Sequence, residues 1–348
     1  MNRRDIFKIS LASLVGISLG YMGGRMSQPP PVDASFQTNN TTVATTTEKP
    51  SEKIQFAISD SKNFYHYHIG LTVKGLINRG HDVELSFLDV ARGREAFATK
   101  RAQILTTSPI FLMSLAEQGE KVLLGPVSYV NLFVMVARKD FDEKNLSKPP
   151  NIGISILTST GHYIATLFLK EHEITEVNWV QIGRSRERIA ALMSGNLDIS
   201  AIQYDEAFNA IESGADIKML GDPKPFWVLL GLYEDWTKQN QEFVKDLIKT
   251  LILAKAYCRS DKDKHVNESI KYAELEQSPE ISRLVRDTYE FYDRQGFWTT
   301  VNAPDSFYEE LFQWSVDNKV IEGKVDFRSL NTYMKQLADA AYEEMLRA

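Results

Sequence analysis

From Lys53 onward, short β-branched runs alternate with longer amphipathic stretches, and the series runs twice. In the first round "KIQFAI", "DVELSFLDV", "AQILTT", "KVLLG" and "YVNLFVMVAR" read as strands. "HYHIGLTVKGLINRG" reads as a helix with Ile69, Val73, Leu76 and Ile77 on one face and Gly80 as its stop. "REAFATKR" and "PIFLMSLAEQG" are the other helices, the latter opening on proline and closing on glycine. The second round has strands "NIGISI", "VNWVQI", "LDISAI", "DIKMLG" and "PFWVLLGLY", with helices over 161–172, "SRERIAALMSG" and "DEAFNAIESG". Regular alternation of this kind predicts parallel sheets covered on both faces.

The two rounds resemble each other. "AQILTTSPIFLMSLAEQG" (102–119) lies over "LDISAIQYDEAFNAIESG" (197–214) without a gap, so that Gly119 falls on Gly214. The chain is expected to build one α/β lobe, cross over along "YVNLFVMVARKDF", build a second of the same plan, and return along "PFWVLLGLY". That assigns 53–135 and 226–348 to lobe 1 and 136–225 to lobe 2. In an open α/β sheet ligands bind beyond the carboxyl ends of the strands, so two such lobes should share a cleft. After residue 240 the apolar positions recur at three and four, which predicts helices that complete and brace lobe 1.

The 348 residues suffice for two lobes of ordinary size, and the net charge of −6 argues against a nucleic-acid partner. The lone Cys258 allows no intrachain disulfide and reads as a small core residue. Residues 1–26 fall outside the fold: "MNRRDIFKIS" is basic, and the apolar run after it is too short and too rich in Gly and Ser for a strong spanning helix. Arg3, Arg4 and the following Ile6-Phe7-Lys8 resemble a twin-arginine export signal, with Asn2 where Ser or Thr is usual; an ordinary secretory signal or an uncleaved anchor is the alternative. Residues 27–52, rich in Pro, Thr and Asn, read as a disordered spacer that holds the body outside the cytoplasm, tethered near a membrane if the signal is kept. A Gly-rich phosphate loop with its lysine, a Gly-x-Ser-x-Gly elbow and a zinc signature are all missing. ATP hydrolysis therefore belongs to a partner.

"ISILTSTGHYIATLFLKEHEIT" followed by "VQIGRSRERIAALMSGNLDISAIQYDEAFNAIESGADIKMLGD" resembles the periplasmic solute-binding proteins of ABC importers. The branch is the one that includes taurine, alkanesulfonate, nitrate or bicarbonate, and thiamine-precursor binders. The likeness covers about 53–235. It implies a two-lobed α/β fold of the type II periplasmic-binding-protein kind, with two parallel-type sheets, an interlobe cleft and a helical C-terminal part. It also implies a small-molecule ligand, a membrane permease with a cytoplasmic ATPase as partners, a monomer, and no cofactor or metal.

Ser159, Thr160 and Gly161 stand at a strand end and open a helix. Free N–H groups and the helix dipole there can hold a sulfonate, carboxylate or phosphate; the alternative is that the hydroxyls serve only as a cap. His162 and Tyr163 flank them or pack. Thr106, Thr107 and Ser108 occupy the matching corner of the first lobe. At the equivalent turn of the second round Tyr204 and Asp205 replace the hydroxyls; Asp205 is an N-cap or a partner for an amino or ring N–H group. Asp60, Phe64 and Tyr65 follow the first strand, where "FYHYH" can stack a planar ligand or pack in the core. His66 and His68 lack the further ligands a metal needs. Phe226 and Trp227 form either an aromatic wall or hinge packing.

The expected function is solute capture in the cleft with closure by hinge bending, for a sulfonate, a zwitterion or a thiamine-type pyrimidine. Few Arg or Lys fall at the strand ends, which disfavours a multiply charged anion, while Asp60 and Asp205 with the aromatics favour a zwitterion or nitrogen heteroaromatic. The rivals are an enzyme of the thiamine-pyrimidine-synthase kind on the same scaffold, and a solute sensor or scaffold.

Overall fold

A computed structural model describes residues 53–142, 147–157 and 159–347. The export signal and the spacer lie outside these residues.

The first round of the sequence folds as β1 (Ile54–Ile58), α1 (Tyr67–Asn78), β2 (Val83–Phe87), α2 (Val90–Ala98), β3 (Ile104–Thr107), α3 (Pro109–Glu117) and β4 (Val122–Arg138). The second gives β5 (Asn151–Ile154), α4 (Thr160–Glu171), β6 (Asn178–Gln181), α5 (Ser185–Met193), β7 (Ile199–Gln203), α6 (Tyr204–Glu212) and β8 (Ile217–Tyr233). Six helices follow: α7 (Glu234–Gln239), α8 (Gln241–Ser260), α9 (Lys262–Tyr272), α10 (Pro279–Arg294), α11 (Asp305–Asp317) and α12 (Phe327–Arg347).

The α/β alternation is as the sequence predicts, but four of the expected strands fuse into two. "KVLLG" and "YVNLFVMVAR" are one strand of 17 residues, β4, and "DIKMLG" and "PFWVLLGLY" are another, β8. These two run antiparallel and hydrogen-bond along their length, so the expected pair of sheets is the two ends of one eight-stranded ladder, ordered β2-β1-β3-β8-β4-β7-β5-β6. Three parallel strands lie at each end, β2-β1-β3 and β7-β5-β6. The middle of the β4–β8 ladder is irregular, with register shifts between Leu124 and Val127, Val127 and Tyr129, and Phe133 and Met135. The first falls at Gly125-Pro126, where proline cannot donate to the ladder. The N–H of Val127 donates instead to the carbonyl of Val301 at 2.7 Å. Opposite the last shift, Gly221 adopts a left-handed φ of 76° that other residues rarely take.

On α1, Ile69, Val73 and Leu76 are buried with Val244, Leu247, Ile248 and Leu251 of α8. Burial stabilises roughly 1.5–3 kcal/mol per such side chain. Ile77, expected on the same face, is 51% exposed. Eight positions beyond Ile69, it has rotated to the edge of the stripe, past the reach of α8.

The C-terminal helices do more than brace the first half. Arg283 of α10 pairs with Glu212 of α6 at 3.0 Å and lies over the Phe208 ring. Trp314 of α11 packs edge-on against His162 and Tyr163 of α4. Both contacts reach the second half, and all described residues belong to one compact unit.

Candidate functional site

The sheet register brings the strand ends together. β3 runs from Ile104 opposite Leu232 to Thr107 opposite Leu229, and β7 from Ile199 opposite Ala137 to Gln203 opposite Phe133. Both therefore point their carboxyl ends at the irregular middle of the β4–β8 ladder, one from each half.

The loop after β1 and the start of α6 meet at this place. Asn63 caps the 3-10 turn Phe64–His66, its carbonyl oxygen accepting from the Phe64 N–H at 2.7 Å. That turn directs Phe64 and Tyr65 toward the second half. Asn63 Nδ2 donates to Asp205 Oδ2 at 2.8 Å across the junction. Tyr65 donates its hydroxyl proton to Asp60 Oδ2 at 2.8 Å, and Gln203 Nε2 approaches the same oxygen at 3.4 Å. Phe64, Tyr65, Tyr204, Tyr292 and Asp205, with Asn131 at the ladder's centre, line a crevice of about 220 Å³ counting its open mouth. The part that solvent can occupy is about one water's worth.

Neutral donors surround both carboxylates. Burial pushes Asp60 up to about 6, opposed by the Tyr65 hydroxyl, the Ser61 N–H and Gln203. Burial, helped by the charge of Glu206, pushes Asp205 up to about 7, against the hydrogen bond from Asn63. Behind them Tyr65 packs on Tyr129 and His66. His66 is fully buried with neither ring nitrogen partnered, and burial lowers it to about 3.

Five of the residues singled out in the sequence thus converge: Asp60, Phe64, Tyr65, Tyr204 and Asp205. Asp205 is not an N-cap; it lies inside the first turn of α6 and faces Asn63. Thr106 sits one layer beneath, its Oγ1 accepting from the Ser59 N–H at 3.2 Å. Thr107 is buried, and Ser108 caps α3 through the Ile110 N–H at 3.2 Å. Ser159 caps α4, accepting from the His162 N–H at 3.2 Å and donating to the Ile156 carbonyl at 2.6 Å. Thr160 is the first residue of that helix, and Gly161 packs over Ala201. The His162 ring hydrogen-bonds the Leu157 carbonyl and lies between Trp179 and Trp314. Phe226 is buried on Tyr163 and Phe307, and Trp227 on Phe297, so neither lines the crevice.

Sequence reasoning missed Asn63 and Gln203, which carry no charge or ring to mark them. It also missed Tyr292 of α10, whose hydroxyl donates to the Val130 carbonyl. Nothing local in the sequence links that helix to the strand ends. Among the described residues there is no group of three His, Cys, Asp or Glu suited to a metal, and no helix long and apolar enough to cross a membrane.

No family model matches the sequence, and no curated protein does. Solved structures do. A ligand-binding component of an ABC-type import system from Staphylococcus aureus superposes with a TM-score of 0.64 at 13% identity, covering 82% of this chain and 99% of its own. A putative sulfonate ABC transporter periplasmic sulfonate-binding protein, SsuA, from Methylobacillus flagellatus gives 0.64 at 15% identity over 85% and 96%. The desulfurization enzyme DSZB gives 0.58 at 13% identity over 84% and 100%. The chain therefore has the periplasmic-binding-protein fold, which both binding proteins and an enzyme use.

Proposed function

We propose that this chain is the extracytoplasmic solute-binding component of an ABC importer. It captures a small organic solute between its halves and delivers it to a membrane permease whose ATPase lies in the cytoplasm. The observation that carries this reading is the pair of cross-junction hydrogen bonds, Asn63 to Asp205 and Gln203 to Asp60, set in an aromatic crevice where both sets of strand ends meet. Polar groups that bond each other when the halves meet are suited to bond a solute held between them. In this reading the lobes are 53–135 with 226–348, and 136–225. The twin-arginine-like N-terminus exports the folded body, which works as a monomer. The solute is a sulfonate, a zwitterion or a thiamine-type pyrimidine, held by Asp60, Phe64, Tyr65, Tyr204 and Asp205. The two hydroxyl corners, 106–108 and 159–161, with His162, shape the rims, and Phe226 and Trp227 back the hinge.

A thermal-shift screen of alkanesulfonates, taurine, nitrate, bicarbonate, betaines and pyrimidines tests this. A solute at a hundred times its Kd adds about 2.7 kcal/mol of stability, a clear rise in Tm. If no solute raises Tm, the reading fails.

An enzyme is the second reading, favoured by the fold shared with DSZB and by the raised Asp60 and Asp205. It differs in outcome: product accumulates with time at catalytic protein concentration, where a binding protein gives at most stoichiometric capture. Cys258 offers it no nucleophile, because the thiol is buried in α8 and burial raises its pKa.

A further inference from the structure

Among the described residues, no cation pairs with the carboxylates of Asp60 and Asp205. Asp205 lines the crevice and feels the charge of Asp60, which lies behind Tyr65, and the hydrogen-bond partners of the two are Tyr65, Ser61, Asn63 and Gln203. None of these can carry positive charge. The cations nearby belong to other carboxylates: Lys62 to Glu274 at 2.6 Å, Arg186 to Glu206 at 3.0 Å and Arg283 to Glu212 at 3.0 Å. His66, behind Tyr65 with its ring centroid 4.4 Å away, is held neutral by burial, and its two nitrogens are uncommitted. The walls are rings: Phe64, Tyr65, Tyr204 and Tyr292. Aromatic faces are the negative end of a quadrupole and attract cations, quaternary ammonium most of all. A sulfonate entering here would meet the Asp205 carboxylate, with Asp60 behind it, and four ring walls, with only neutral amide and hydroxyl donors to hold it.

We infer that the crevice takes an organic cation, a protonated or alkylated ammonium group, seated among Phe64, Tyr65, Tyr204 and Tyr292 with Asp205 as its lining counter-charge and Asp60, bonded to the Tyr65 hydroxyl, behind that wall. The inference rests on the solute-capture reading and deepens it, because it sets the charge of the solute against that of the sulfonate binders sharing the fold. A zwitterion qualifies through its cationic end. Entry requires the Asn63–Asp205 and Gln203–Asp60 hydrogen bonds to part, since the space between them holds about one water. The bound cation then supplies the counter-charge that lets these desolvated carboxylates ionise.

Titration calorimetry of the full chain at pH 8 with tetramethylammonium, glycine betaine and ethanesulfonate tests this. A cation is expected to bind and ethanesulfonate not to. Asp205→Asn should weaken cation binding by at least about tenfold, the loss expected when one partner of a desolvated charge pair is neutralised. Asp60→Asn and Tyr204→Leu should weaken it too, so the outcome does not hang on one variant's folding. Binding of ethanesulfonate, or of any solute without a cationic nitrogen, where tetramethylammonium and glycine betaine both fail overturns the inference and leaves solute capture standing. Cation binding unchanged in both Asp→Asn variants also overturns it. Silence of these probes and of the whole solute screen overturns both readings.

Discussion

Asp205 is where charge and packing conflict most plainly. Its carboxylate accepts from Asn63 at 2.8 Å, yet Asp60 and Glu206 face it as like charges, and Tyr65 and Tyr292 add hydroxyls rather than cations. Its pKa is raised to about 7 from an ordinary carboxyl value near 3.8. Between these values the folded protein binds more protons than the unfolded chain, so this contribution to stability falls as pH rises through 7. Asp60, raised to about 6, acts in the same direction. Asp205→Asn keeps the acceptor for Asn63 and removes the charge. It is expected to raise Tm at pH 8 and to change it little at pH 4; thermal unfolding at the two values checks this, and an unchanged or lower Tm at pH 8 counts against it. The acid-aromatic pairing was legible in "IQYDEA" and "SDSKNFYHYH" because charge and rings mark themselves. The amide partners Asn63 and Gln203 were not, since a neutral side chain gains its role only from what the fold places opposite.

At the scale of elements, the hydroxyl corners act as caps. Ser159 bonds the His162 N–H and the Ile156 carbonyl, and α4 begins against Trp179 and Trp314. Ser159→Ala should cost about 1 kcal/mol in denaturant unfolding, the usual loss of a cap. If Ser159 only caps, solute affinity stays unchanged; a parallel loss of affinity would show that this corner touches the solute as well. The β4–β8 ladder depends on Gly125 in a different way. A Cβ there would sit 2.5 Å from the backbone oxygen of Leu230, which cannot rotate away. Gly125→Ala should therefore destabilise by about 1–3 kcal/mol, the range for overpacking. A near-neutral result would show that the bulge relaxes freely. Short strands and helices were readable from period and punctuation. The fusion into two 17-residue strands was not, because Gly125-Pro126 and Gly221 to Pro223 look like strand ends in sequence but are bulges within continuous ladders.

For the whole molecule, the repeat of "AQILTTSPIFLMSLAEQG" in "LDISAIQYDEAFNAIESG" was the strongest guide, since it predicted two similar α/β halves whose strand ends converge. What it left out is the closure supplied by α10 and α11, whose Arg283 and Trp314 hold the second half through contacts far apart in sequence. Those contacts, with the Asn63–Asp205 bond, make the described unit compact and its crevice narrow. In the proposed reading, solute entry parts the Asn63–Asp205 bond and widens the crevice. Solution X-ray scattering of the full chain, free and with each solute that raises its Tm, measures this directly. The account predicts that the free protein has the larger radius of gyration and contracts when solute saturates it. Identical scattering of the free protein and of the protein saturated with a solute that raises its Tm would contradict it.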